Sequence, residues 1–557
     1  MRKVYFIVKK IFEENDFAAG GLVFALASFF FFGVYYKSGS LIFLDDHFFL
    51  FKFATLLREQ GFGVVKNFDW IFLTDDNFNH VRFSVSLFNI VSIPFTFLTT
   101  PILGVKVLDI FFASLSLSLF YYVLRISKIR NAYLFLGIAI INTTLMTRFL
   151  SGRAFVLIVS LVFLELYLAI KQKYFKLFAV FTFHVMWHEA TFFMPLIVAG
   201  VVELSRICDG FKLGYKNFLV GLSGIFLGMT IYPDYPKNII SLAQRIINIH
   251  REVFSGNVKI EGQELYTSDL FKYFSASDVS MLLMLVCFFI VIFYFISNRN
   301  GRVRKIDPLD DSQMFLYASF YFLLFIFIGG ILVSGRFYDF YFPAVIFLSS
   351  IVYTKIVKDN FLQVSPFLGK FVIIGLTLFF LIGGKVVFNN QRQMISKNDY
   401  TGISLASKWI GERSKNRELV FLTNWSDFAM SFFFNDKNVY TMGAEPRLLL
   451  EHNPELYWRW YNMYAYGIYC EKQNDCSEEK KIYDEKLKDA ESGEYDKIRK
   501  ENAKKIFLSI KNDFGSRFIL DSGRLKDVLA LPDDMVIDSF EYKSKINGSV
   551  TRAFELK

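Results

Sequence analysis

Leu44-Asp45-Asp46-His47-Phe48-Phe49 follows an apolar run from Phe17 to Tyr36 and opens a helix-like run from Phe48 to Gln60. Two adjacent carboxylates and an imidazole at a membrane boundary are costly to hold there, which makes them candidates for chemistry. The preceding run is long enough to cross a bilayer. It is followed by Lys37-Ser38-Gly39-Ser40 without a small-residue cleavage pattern, so it reads as a retained span rather than a signal peptide.

Outward from this stretch, the composition sets the class. Of 557 residues, 54% are hydrophobic and 69 are Phe, more than the surface of a soluble protein of one core would tolerate. The chain reads as a polytopic α-helical membrane protein. The net charge of +10 lies in short clusters between apolar runs, a pattern set by orientation in a bilayer rather than by binding to nucleic acid.

Arg2, Lys3, Lys9 and Lys10 precede the first span, which predicts a cytoplasmic N-terminus and places Asp45 and Asp46 outside. Further apolar runs occupy 82–100, 104–124, 131–147, 154–170, 174–205, 217–232, 278–297, 312–333, 340–354 and 361–386. If each crossed once, the basic turns Arg125 to Arg130 and Lys171 to Lys176 would fall outside. Two local changes bring both inside. The run 82–100, interrupted by Pro94, becomes a juxtamembrane or re-entrant segment. The run 174–205, with His184, His188 and Glu189 near its middle, becomes two short spans. The expected domain is therefore 1–389, with about 11 transmembrane helices, an outer loop 37–103 carrying the acidic motif and a second outer loop 233–277. Asn298 to Lys305 then lies inside.

From about Asn390 the composition becomes that of a soluble domain. Glu418-Leu-Val-Phe-Leu, Lys437-Asn-Val-Tyr-Thr, Arg517-Phe-Ile-Leu-Asp and Arg552-Ala-Phe-Glu-Leu-Lys read as strands, and Ser404 to Arg413 and Glu478 to Ile510 as helical. The expectation is an extracytoplasmic α/β domain over 390–557. Cys470 and Cys476 lie within it, either paired or as two thiols; Cys208 and Cys287 lie in or beside spans.

This topology carries Asp45, Asp46, His47, Arg148, Arg153, His188, Glu189, Arg336 and Asp339 to the outer edge of the spans. Asp45 and Asp46 read either as a helix cap or as a general base for an acceptor nucleophile. Arginines on the outer side run against the usual charge bias, and their planar donors suit a lipid phosphate. His184 and His188 share a helical face. The metalloprotease signature is absent, because His188-Glu189 is followed by Ala190-Thr191-Phe192, so a hydrogen-bonded turn or a substrate contact is preferred to a metal site. The glycines at 20–21, 221–228 and 383–384 sit in apolar runs and read as close-packing positions rather than nucleotide loops.

An outer acidic pair after the first span, a juxtamembrane segment and later outer polar turns resemble the GT-C superfamily of polytopic glycosyltransferases, which includes the oligosaccharyltransferase catalytic subunit and the protein O-mannosyltransferases. The resemblance implies that Leu44 to Phe49 supplies the acidic residue, Asp45 or Asp46, that serves as catalytic base or binds and activates the acceptor. It implies that Ser334-Gly335-Arg336-Phe337-Tyr338 holds the late Arg that contacts the carrier phosphate. His184-Val-Met-Trp187-His188-Glu189 resembles the family's aromatic outer turn. Thr147 to Arg153 stands where the oligosaccharyltransferases carry a second acidic motif, with Arg153 in place of the acids. The stretches Val420 to Phe428, Asn438 to Pro446 and Asn453 to Trp460 are similar to the tail of bacterial GT-C-like membrane proteins, whose substrates do not carry over. The C-terminal domain reads either as binding or selecting the acceptor, with Trp425 and Asp427 as acceptor-side candidates, or as a structural lid.

The expected function is transfer of a sugar from a polyprenyl-phosphate donor to a glycan, lipid or protein acceptor at the outer face of the cell (inner) membrane, with inversion. No cofactor is required, and a divalent metal is an option that Arg153 in the second motif does not favour. The partners are the donor, the acceptor and the bilayer, with no nucleic acid. The alternatives are an O-antigen-type polymerase or ligase using Arg and His, and a non-enzymatic lipid or solute transporter.

Overall fold

The computed structural model describes residues 15–36, 38, 46–66, 68, 70–72, 85–232, 235–236, 238–240, 311–332, 337–358, 366–443, 449–450, 453–525 and 535–557. They fall into two compact units. The first takes the described residues of 1–38, 84–258 and 262–394, and the second those of 39–83 and 395–557.

The first unit is a helical bundle. Asp16–Tyr35, capped by Asn15, runs antiparallel to Pro101–Ile126, capped by Thr100. Arg125 pairs with Asp16 at 2.8 Å, the Ser118 hydroxyl donates to the Gly20 carbonyl, and the Tyr35 hydroxyl donates to Asp109 at 2.7 Å. Tyr35 and Pro101 are therefore at the same end of the bundle. Leu87–Ser92 and the 3-10 turn Ile93–Phe97, with Pro94 near its start, are too short to cross a bilayer. Phe155–Ile170 runs parallel to Pro101–Ile126: Ser116 donates to the Val156 carbonyl, and Phe120 meets Phe163.

The run 174–205 divides, as expected, at His188. Tyr174–Trp187 ends there, the 3-10 turn Glu189–Thr191 follows, and Met194–Cys208 resumes with Pro195 in its first turn. Lys216–Thr230 packs against Tyr174–Trp187 through glycine. A Cβ at Gly224 would lie 2.7 Å from the Phe181 Cβ, and one at Gly228 would lie 2.7 Å from the Val185 Cβ.

The expected number of spans is corrected. Among the described residues four helices are long and apolar enough to cross a membrane: Asp16–Tyr35, Pro101–Ile126, Glu189–Cys208 and Gln313–Gly330. A fifth is reached only by joining Ala132–Ile141 to Thr143–Phe149, which are bent by 83°. The bend lies at Asn142, whose side chain accepts from the Leu145 N–H and caps a new helix inside what reads as one apolar run. Phe155–Ile170, Tyr174–Trp187 and Lys216–Thr230 have 16, 14 and 15 residues, short of the ~20 that a hydrocarbon core requires. The run 278–297, Cys287 and the basic segment 298–305 lie outside the described residues.

The second unit is a mixed sheet in the order β2-β1-β3-β5-β4, from β1 (Leu419–Leu422), β2 (Val439–Tyr440), β3 (Phe518–Asp521), β4 (Val536–Lys543) and β5 (Val550–Leu556). β2, β1 and β3 are parallel, and β5 is antiparallel to both β3 and β4. The expected helices are present as Thr401–Arg413, Ser477–Asp489 and Ser492–Asn512. The core gathers Phe421, Ile519 and Phe554 from the sheet with Trp460, Phe507 and Phe514. Cys470 and Cys476 form a disulfide.

Asp46–Gln60 folds with this second unit. Its helix buries Phe48, Phe51, Phe53, Leu56 and Leu57. Phe48 meets Tyr400, Phe433 and Phe434, and Lys52 pairs with Asp436 at 2.9 Å. Downstream, Ile71 bridges β2 in parallel at Tyr440, with Phe72 N–H donating to the Tyr440 carbonyl and Tyr440 N–H to that of Trp70.

Candidate functional site

The bundle has two chemically different ends. At one, Asn131 donates to the Tyr353 hydroxyl, the Arg130 N–H donates to Thr354, and Lys171 lies over the Phe315 ring. Arg125, Lys128, Arg130, Lys171 and Lys173 are all at helix ends here, and this is the basic end. The opposite end is where Tyr35 and Pro101 meet, and polar side chains gather there from turns distant in sequence.

Three segments meet at that second end. Phe155 contacts both the His188 ring (6.0 Å) and the Phe340 ring (5.0 Å), and Phe193 meets Phe337. The Trp187 indole donates to the Ala154 carbonyl at 2.7 Å while its ring packs on Phe88 and Phe112. This frame holds Arg148, at the end of Thr143–Phe149, against Asp339, in the first turn of Tyr338–Lys358, with Arg148 Nε 2.6 Å from Asp339 Oδ1. Arg153, His188 and Glu189 are on the same turns, each partly exposed. Gln391 donates to the Thr143 carbonyl and to the Thr147 hydroxyl beside them.

The structure thus brings five predicted residues, Arg148, Arg153, His188, Glu189 and Asp339, to one end of one unit. It does not place Asp46 or His47 in that unit. Asp46 is in the first turn of the helix Asp46–Gln60, where an acid also suits the helix dipole, and His47 is 1% exposed within the second unit. Trp425 and Asp427 form the 3-10 turn after β1. Asp427 is buried and receives the Asn424 amide, and Trp425 packs on the sheet core. Asp45, Arg336 and most of the loop 233–277 lie outside the described residues.

Sequence reasoning missed further polar groups. At the same end of the bundle Lys106 donates to Ser38 at 2.7 Å and sits beside the Tyr35 ring, one turn from Asp109. Glu165, in the middle of Phe155–Ile170, is fully buried with its Oε1 2.6 Å from His184 Nδ1. The other nitrogen of His184 is 2.9 Å from the Thr191 hydroxyl. Both ring nitrogens of His184 are therefore within hydrogen-bond distance of protein groups. The signal for these residues was a lone ionisable group inside an apolar run, where its retention implies a partner.

The arrangement presents guanidinium and imidazole groups at one end of the helical unit. Such an end suits a phosphate, because Arg offers paired donors in a plane, and Arg148 is held there in an ion pair with Asp339. No protein-family model matches the sequence, and no curated protein is significantly similar to it.

Proposed function

We propose that this chain is a membrane glycosyltransferase that moves a sugar from a polyprenyl-phosphate carrier to an acceptor at the extracytoplasmic face. The observation that carries the reading is the segregation of charge in the helical unit. Basic turns collect at one end, as the cytoplasmic side of a bundle requires, and Arg148, Arg153 and His188 stand at the other. The disulfide between Cys470 and Cys476 adds support, since such bonds persist in oxidising compartments.

In this reading Asp45 or Asp46 removes the proton of the acceptor hydroxyl. The resulting oxygen bonds to the anomeric carbon from the side opposite the carrier, and the bond from that carbon to the phosphate oxygen breaks. The configuration inverts. Arg148, Arg153, Arg336 and His188 hold the phosphate as its charge grows, which lowers the barrier through donors already oriented before the reaction.

A second reading follows from one observation. Asp46 folds with the second unit, whereas the cationic residues belong to the helical unit. A polymerase or ligase of lipid-diphosphate-linked glycans would need the Arg and His residues and not the Asp pair. Transfer of radiolabelled sugar by membranes containing Asp45→Asn, Asp46→Asn or Arg148→Lys separates the two. The first reading predicts at least a ~100-fold loss in one Asp variant. If both Asp variants keep full activity while Arg148→Lys loses it, the second reading replaces the first.

A further inference from the structure

Four side chains form a continuous line from the interior of the bundle to the polar end. Glu165 and His184 are both 0% exposed. Glu165 Oε1 is 2.6 Å from His184 Nδ1, His184 Nε2 is 2.9 Å from Thr191 Oγ1, and Thr191 Oγ1 is 3.0 Å from His188 Nδ1. The line joins the helix Phe155–Ile170, the helix Tyr174–Trp187 and the 3-10 turn Glu189–Thr191 that follows it.

The chemistry of each member restricts how the protons are arranged. With Glu165 ionised, its carboxylate only accepts and takes the Nδ1–H of His184, and His184 Nε2 is then an acceptor. The Thr191 hydroxyl has one proton to give. If it goes to His184, its nearest acceptor, the Thr191 oxygen is left to receive the Nδ1–H of His188. Every donor is then matched along the line. The competing acceptor of the Thr191 proton is the His188 carbonyl at 3.1 Å. Choosing it would oblige His184 to donate from both nitrogens and become a cation beside Glu165.

We propose that Glu165, His184 and Thr191 are positioning residues that hold His188 with a proton on Nδ1 and favour its positively charged form, making His188 a cationic contact for a phosphate-bearing ligand. The identity of that ligand rests on the function proposed above; the proton arrangement does not. Glu165 supplies the negative end of the line from a site that water does not screen, and His184 and Thr191 pass its polarisation outward without a net charge of their own. The other charged groups on the elements that meet His188 are Glu189 on its own turn, Arg148 and Arg153 on the turns before Phe155, and Asp339 at the start of Tyr338–Lys358. Arg148 and Arg153 oppose a cation at His188 while Glu189 and Asp339 favour it, so the buried carboxylate tips the balance.

The test uses the full-length protein in lipid nanodiscs, labelled with ¹⁵N-histidine and titrated by NMR, with His188 assigned through His188→Gln among the 6 histidines. The expected result is a neutral form of His188 protonated at Nδ1. Its midpoint moves to lower pH in Glu165→Gln, Nδ1 protonation is lost in Thr191→Val, and the wild-type pattern returns in Thr191→Ser. Should Glu165→Gln fail to fold, the comparison of Thr191→Val with Thr191→Ser carries the same test. A wild-type His188 protonated at Nε2 would overturn the proposal. So would a His188 titration indifferent to Glu165→Gln while His184 responds, because that pattern belongs to a local Glu165–His184 ion pair. The readout needs no turnover. If the spectra agree and no sugar donor is used, the transferase reading fails and the relay stands.

Discussion

Arg148 Nε lies 2.6 Å from Asp339 Oδ1 in an ion pair, with the carboxylate 9% and the guanidinium 24% exposed. Removing one partner of such a pair leaves the other desolvated and uncompensated, which costs more than replacing both. Arg148→Leu is expected to lower stability in detergent by about 3 kcal/mol, and Arg148→Leu/Asp339→Leu by less than the single change. Denaturant unfolding of the purified chain checks this, and a double variant weaker than the single one contradicts it. In the second unit the sign of a pH effect follows from Glu418. Burial pushes its carboxyl up, but two N–H groups of Arg517, at 2.8 and 3.0 Å, and the Lys415 N–H hold it below the ordinary 4.5. The unfolded chain then binds more protons than the folded one between the two values. The stability Glu418 contributes is present above 4.5 and is lost as pH falls through the folded value. Glu418→Gln should therefore flatten the acid limb of the unfolding curve below about pH 5 while leaving the neutral region parallel. An unchanged acid limb would show that the Arg517 pair does not set it. At this scale the residues that sequence analysis found were those at turns. Glu165, Lys106 and Asp109 were missed because each is one polar letter in an apolar run, and the partners that explain them are 19 residues away for Glu165 and 68 and 74 for the other two.

Between helices, the glycines of Gly224-Ile-Phe-Leu-Gly228 were legible as close-packing positions, and the structure gives them a surface. Any side chain at Gly228 would meet the Val185 Cβ at 2.7 Å and the Thr182 carbonyl at 3.0 Å, neither of which is a flexible chain end. Gly228→Ala is expected to cost about 1–3 kcal/mol, and Gly21→Ala, where a Cβ meets nothing within 4 Å, to be near neutral. Thermal unfolding in detergent measures the difference; equal effects would mean the two helices are not held by this contact. β1, β3 and β5 were readable from their apolar, β-rich composition. β4 was not, although Val536-Ile-Asp-Ser-Phe-Glu-Tyr-Lys543 alternates, because most of its residues are exposed and its polar face dilutes the pattern. Helix length was the weakest inference. Hydropathy marks where an apolar run begins and ends but not where Asn142 accepts the Leu145 N–H and turns the chain by 83° within it.

At the scale of the molecule, the segment carrying the acidic motif was expected as a loop of the membrane domain, and it folds with the C-terminal sheet. The physical reason is the Phe stripe of Asp46–Gln60, which requires an apolar partner and finds Phe428, Phe432 and Phe433. A sequence shows that such a stripe must be covered, not by which of two units. The separation of basic turns from Arg148, Arg153 and His188 was legible earlier, because charge bias constrains every turn at once. The central claim, that this cationic end serves sugar transfer from a lipid phosphate, is tested most directly with the full-length protein in sealed vesicles of known orientation. A radiolabelled polyprenyl-phosphate sugar is supplied, and the product's anomeric configuration is read. The account predicts transfer on the side opposite the basic turns, with inversion, and at least a ~10-fold loss in Arg148→Lys because a paired donor is replaced by a point charge. Absence of transfer from any polyprenyl-phosphate donor, or transfer that Arg148→Lys leaves intact, would contradict it.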